Sequence, residues 1–99
     1  MIPGENAVNG LGYQMMGRGD LDGAIEVFSY NVELFPNSAN PYDSLGEALE
    51  NAGRFEEALA SYSKAVVNGT ANGDANLGIF TTNRDRVQEL VEKEMAGQS

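Results

Sequence analysis

The chain has 99 residues, a formal charge of −9 from 15 acids and 6 bases, and neither cysteine nor histidine. This excludes disulfides, thiolate metal sites and cysteine nucleophiles, along with the side chain best suited to proton transfer near neutral pH. The acidic balance repels nucleic acid and anionic lipid and favours basic or neutral partners.

No apolar run approaches the roughly 20 residues needed to span a membrane. The opening Met1–Gly4 lacks the regions of a signal peptide, so residues 1–4 read as a leader and the expected location is cytoplasmic. One domain suits this length.

The first helix is expected from residue 5, with Val8, Leu11, Gly12 and Met15 at helical spacing and Gly19 as its stop. Asp20 is the expected N-cap of a second helix, which Pro36 closes. A third helix opens at Asn40-Pro41, read as a polar cap followed by proline in the first turn. It carries Tyr42, Leu45, Gly46, Leu49 and Ala52 on one face and stops at Gly53. A fourth starts near Phe55, with Glu56 and Glu57 in its first turn and Ala58, Leu59, Tyr62, Ala65 and Val66 inward. Asn68-Gly69 and Asn72-Gly73 make residues 71–81 a loop-rich segment. Thr82-Asn83-Arg84-Asp85 reads as a capping box for a last helix over 82–96, with a tail over 97–99.

A shift of 34 residues superposes the first half on the second: Leu11-Gly12 falls on Leu45-Gly46, Gly19 on Gly53, Ala24 on Ala58, Phe28 on Tyr62. A fixed period of this size marks a solenoid of stacked helix pairs. The small residues allow the two helices of a pair to approach closely. Two places break the pattern: Asn31 stands where copy two has Ala65, and Thr70 where copy one has Pro36. Asn31 is expected to bond backbone near the start of the second copy and fix the angle between copies.

Val8, Leu11, Gly12, Met15, Ala24, Phe28 and Pro36, matched by Tyr42, Leu45, Gly46, Leu49, Ala58, Tyr62 and Ala65, resemble the tetratricopeptide repeat, a helix-turn-helix unit of the same period. The resemblance covers residues 5–70, as repeats over 5–38 and 39–70. It implies an all-α, right-handed solenoid of two helical hairpins, with the last helix covering the final apolar face. It also implies a non-catalytic scaffold that holds a peptide or protein segment against its concave side. The first helix of each pair would line that side, projecting Asn6, Asn9, Tyr13, Met16 and Gly17 from copy one and Asn40, Asp43, Glu47, Glu50 and Asn51 from copy two. The surface so defined carries no lysine or arginine, so the basic clamp with which some members of that family grip chaperone tails is absent. Cations of a ligand are expected near Asp43, Glu47 and Glu50.

The alternative function is a C-terminal structural appendage that docks on or oligomerises a larger parent protein, enzymes included, because Ala7, Leu11 and Met15 stand at an edge that an upstream domain or a second copy would cover. No cofactor or metal is expected. Arg18-Gly19-Asp20 is read as a helix stop and cap, Asp20-Leu21-Asp22-Gly23 lacks the length and ligands of a calcium loop, and Asn68-Gly69-Thr70 spells a glycosylation sequon.

Overall fold

The computed structural model describes residues 4–97. The leader residues 1–3 and the tail residues 98–99 lie outside them. Five helices follow in chain order: α1 (Glu5–Gly17), α2 (Leu21–Leu34), α3 (Asn40–Asn51), α4 (Phe55–Asn72) and α5 (Leu77–Gly97), with no strand among the described residues.

Glycine sets the first two turns between helices. Gly19 (φ 83°) and Gly53 (φ 77°) adopt the left-handed conformation, open to glycine without strain, one position after the C-caps Arg18 and Ala52. Asp20 caps α2, its carboxylate accepting from the Gly23 amide at 2.9 Å. The tripeptide at 18–20 is thus used up by the turn. Asn40 is not the cap of α3. Ala39 holds that position, Asn40 is the first helical residue and Pro41 lies in the first turn.

Each chain neighbour packs on the next, and beyond these pairs only α1 with α3 and α3 with α5 come together. The resulting plate measures 50 × 33 × 18 Å. Between α1, α2 and α3 lie Ala24, Phe28 and Ala48, flanked by Met15, Met16, Ile25 and Leu45. Between α3, α4 and α5 lie Leu49, Ala58, Tyr62, Val87 and Val91. A third cluster joins Ala39, Ala65 and Phe80. Phe28 and Tyr62, fully buried, contribute about 1.5–3 kcal/mol each by burial. They reach that depth because Gly12 and Gly46 carry no Cβ. One built on Gly12 would stand 2.6 Å from Phe28 Cδ1, and one on Gly46 would stand 2.7 Å from Tyr62 Cδ1.

The stretch after residue 67 departs from expectation. Residues 68–72 are the last turn of α4, and α5 begins at Leu77, so only Gly73–Asn76 connect the two helices. Copy two lacks the proline that ends α2. Thr70 instead sends its hydroxyl to the Val66 carbonyl at 2.7 Å, the helix runs on, and Gly73 (φ 62°) ends it. Gly69 is a packing residue, passed by Phe80 Cδ2 at 3.1 Å from where a Cβ would sit. Gly78, by contrast, has open space around it. The proposed capping box at Thr82 lies inside α5, where the Thr82 hydroxyl bonds the Gly78 carbonyl four residues back at 2.9 Å. The turn before α5 is made by Asp74, whose carboxylate accepts from the Asn76 amide at 2.8 Å.

Asn31 is wholly buried and bonds backwards, to the Glu5 carbonyl of α1 at 3.1 Å. It ties α1 to α2 within the first copy and does not reach the second. Asn68 takes the role of linking copies. Its buried amide donates to the carbonyls of Pro36 (3.0 Å) and Ser38 (2.9 Å), and Asn72 donates to Asn37 at 2.9 Å. Two asparagines one turn apart on α4 thereby clasp the turn between α2 and α3. The sequon asparagine is committed to the fold and offers no free amide for glycosylation.

Candidate functional site

Three stripes of equal spacing meet on one side of the plate. On α3, Asp43, Glu47 and Glu50 follow one another at i, i+4 and i+7, which places them on one helix face. Asn9, Tyr13 and Met16 repeat this spacing on α1, and Ile79, Asn83 and Arg86 repeat it on α5. A depression of about 400 Å³ lies between α3 and α5, lined by Asp43, Glu47, Glu50 and Asn51 from one side and Ile79, Asn83 and Arg86 from the other, with Tyr62 beneath.

Hydrogen bonds stitch the stripes together. Tyr13 donates from its hydroxyl to Glu47 Oε2 at 2.6 Å, and Asn51 Nδ2 approaches Met16 Sδ at 3.5 Å. Asn83 donates to Asp43 Oδ1 at 2.9 Å. Arg86 grips Glu50 with both arms of its guanidinium, Nη2 to Oε1 at 2.6 Å and Nε to Oε2 at 3.1 Å. Tyr62 donates to Glu50 Oε1 from below at 2.9 Å.

The electrostatics follow from these partners. Arg86 holds the Glu50 carboxyl below its ordinary range, aided by the Tyr62 hydroxyl. Burial pushes Asp43 upward against the opposing hydrogen bond from Asn83. Burial, and after it the bond to Glu47, raises Tyr13 to about 12. Tyr62 is raised for the same reasons, burial first and Glu50 second. These hydroxyls are donors under all ordinary conditions, and they fix the two carboxylates they serve.

Of the ten residues expected from the sequence, the structure brings six together: Tyr13, Met16, Asp43, Glu47, Glu50 and Asn51, and Gly17 is exposed outside the depression. Asn9 is half-buried on the α1 stripe, with its side-chain oxygen buried and unpaired. Asn6, exposed, and Asn40, half-buried, do not line the depression. The expectation of a surface without arginine fails, because α5 completes it and brings Arg86. Sequence reasoning missed this third stripe for a definable reason. Ile79, Asn83 and Arg86 follow Asp43, Glu47 and Glu50 by 36 residues, not by 34. The extension of α4 past residue 70 shifts the register by two, and a comparison at fixed period does not see it. The i, i+4, i+7 spacing itself was available as a signal.

Elsewhere Arg54 pairs with Glu57 in two bonds on the exposed start of α4. Among the described residues no group of three acidic side chains is arranged to hold a metal ion, and no helix is long and apolar enough to cross a membrane. No known family model matches the sequence, and no curated protein matches it.

Proposed function

We propose that this chain is a non-catalytic protein–protein interaction module, a right-handed solenoid of two tetratricopeptide-like hairpins capped by α5, which binds an extended peptide across the α1–α3–α5 face. The observation that carries the reading is the alignment of three side-chain stripes of identical spacing on that face, ending in a depression lined by acids and amides. Close approach of Gly12 to Phe28 and of Gly46 to Tyr62, one repeat apart, supports the solenoid. So do the contacts between odd-numbered helices and the lack of any between α2 and α4. The preferred ligand is a peptide with a lysine or arginine placed over Asp43 and Glu47, whose charges exceed what Arg86 neutralises. Amides at Asn51 and Asn83 suit its backbone. A cytoplasmic location belongs to this proposal.

One observation favours a second reading, that of a structural appendage whose groove is idle: Asp43, Glu47 and Glu50 are each already engaged by a side chain of the same molecule. Selection of random 12-residue peptides on the intact chain separates the two. Enrichment of lysine or arginine, with micromolar affinity that falls at least ten-fold in Glu47→Lys, supports the groove. Glu47 is the residue to change, because Glu50 anchors Tyr62 and Arg86 and its loss would disturb the fold. Peptides without basic enrichment, or binding indifferent to Glu47→Lys, would sink the proposal.

A further inference from the structure

The internal repeat offers a comparison that a single helix pair could not. Each residue of α3 has a twin in α1 at the same depth in its hairpin, and the two copies differ in what lies in front of them. In copy two the preceding hairpin packs on α3, and Pro41, Ser44 and Ala48 are buried, Ala48 directly against Ala24 and Phe28 of α2. Their twins Ala7, Gly10 and Gln14 are exposed. Leu45 packs into two core clusters, and its twin Leu11 is 50% exposed. The stripe at 7, 10, 11 and 14 thus has the spacing of a helix-receiving face, small at Ala7 and Gly10, with no helix on it among the described residues.

A second difference lies across the groove, on α2. The groove is lined by Ala7, Val8, Leu11, Val27 and Tyr30, with Glu26 at its rim. In copy two the twins of Val27 and Tyr30 are Ser61 and Lys64. In copy two the corresponding groove beside Tyr42 and Leu45 carries these polar residues, and the Ser61 hydroxyl donates to the Tyr42 carbonyl at 2.6 Å. At the edge they are apolar, and Tyr30 stands 48% exposed. Apolar residues at positions the fold does not require mark a surface kept for an occupant.

We infer that the α1–α2 edge is a docking surface for an amphipathic helix of another polypeptide, with its apolar stripe flanked by lysine and arginine. Charge selects this occupant. Glu26 lines the groove, and helices α1 and α2 with the cap between them carry five acids in all (Glu5, Asp20, Asp22, Glu26, Glu33) against the single base Arg18. A second copy of a chain of charge −9 brings more acid to an acidic rim, whereas basic flanks meet it with complementary potential. Helix-in-groove recognition supplies the mode, with anchors one turn apart.

The probe is a 16-residue lactam-stabilised helical peptide with leucine and alanine on one stripe and lysine on its flanks, measured by fluorescence anisotropy against the intact chain. A version with the stripe scrambled and a version with glutamate for lysine are the controls. Micromolar binding of the first peptide is expected, at least ten-fold weaker for either control. Leu11→Arg and Tyr30→Arg should each weaken it at least ten-fold, while Val67→Arg, which adds the same charge at an exposed apolar site elsewhere, leaves it unchanged. Both edge side chains are half-exposed, so an unaltered circular-dichroism melt accompanies the loss. Absent binding, equal binding of the scrambled peptide, or equal weakening by Val67→Arg overturns the inference. So does a micromolar dimer in sedimentation that Leu11→Arg abolishes, since the occupant is then a second copy. Because the concave-face proposal is tested by Glu47→Lys, failure of one leaves the other standing.

Discussion

Replacing Gly12 by alanine tests the packing logic most directly. In an exposed helix position the change stabilises by about 0.8–1 kcal/mol, since alanine loses less backbone freedom on folding. At Gly12 the new methyl would lie 2.6 Å from Phe28 Cδ1 and Cζ, where carbon contacts are comfortable at about 3.5–4.0 Å. The ring must retreat about 1 Å. It cannot do so freely, because it is fully buried and Tyr13 stands against it edge-on at 5.2 Å. Overpacking of this kind costs about 1–3 kcal/mol, so the propensity gain is cancelled or exceeded. The internal control is Gly10→Ala, the same substitution two residues earlier on the same helix, where nothing lies within 4 Å. Gly12→Ala is expected to fall below Gly10→Ala by about 1–3 kcal/mol, on the order of 10 °C in melting temperature for a chain this size. Urea unfolding followed at 222 nm reads both. Phe28→Leu should recover about 1 kcal/mol of the Gly12→Ala loss in a double-mutant cycle. If the two alanines stabilise alike and the cycle shows no coupling, the close approach of α1 and α2 at Gly12 is not what the glycine is for.

Two further outcomes follow from the hydrogen bonds. Asn68→Ala strips the turn between α2 and α3 of one donor shared by two carbonyls, and should cost about 1–3 kcal/mol in the same assay. Asn72→Ala, at an exposed bond to the same turn, should cost clearly less, and equal losses would argue against burial as the deciding factor. Arg86→Ala removes the partner that lowers Glu50. A carboxyl held low stabilises the fold above its unfolded value, near 4.3, and that contribution disappears as pH falls through the lower folded value. With Arg86 about half exposed, the loss should be about 0.5–1 kcal/mol at pH 7 and vanish near pH 3. A loss that persists unchanged at pH 3 would show that Arg86 acts by packing.

The sequence revealed the helices wherever one residue both shaped the backbone and repeated in register. Gly19 and Gly53 mark turns because left-handed backbone favours glycine, and Gly12 and Gly46 recur with Phe28 and Tyr62 because a ring needs the absent methyl. It misled at Asn68, Gly69, Asn72 and Thr82, residues whose local chemistry suits loops and caps. There tertiary partners decided. The carbonyls of Pro36 and Ser38 claim Asn68, Phe80 claims the space over Gly69, and a helix that no proline ends carries Asn72 with it. The candidate face was legible on α1 and α3, which keep the period, and illegible on α5, which is two residues out of it.

That same mismatch separates the two ends of the chain. The helix that leaves the repeat, α5, covers α4 with Phe80, Val87 and Val91 and turns Asn83 and Arg86 onto the acids of α3. No such helix faces α1 among the described residues. In the proposed solenoid each pair buries its core against neighbours, so an uncovered face calls for either polar substitutions or a partner. At Val27 and Tyr30 the chain has apolar residues where copy two has Ser61 and Lys64. Gln14 is such a substitution where copy two has Ala48, but at 27 and 30, where copy two shows polar residues to be compatible with the hairpin, none was made. A partner at this edge accounts for that difference between the copies.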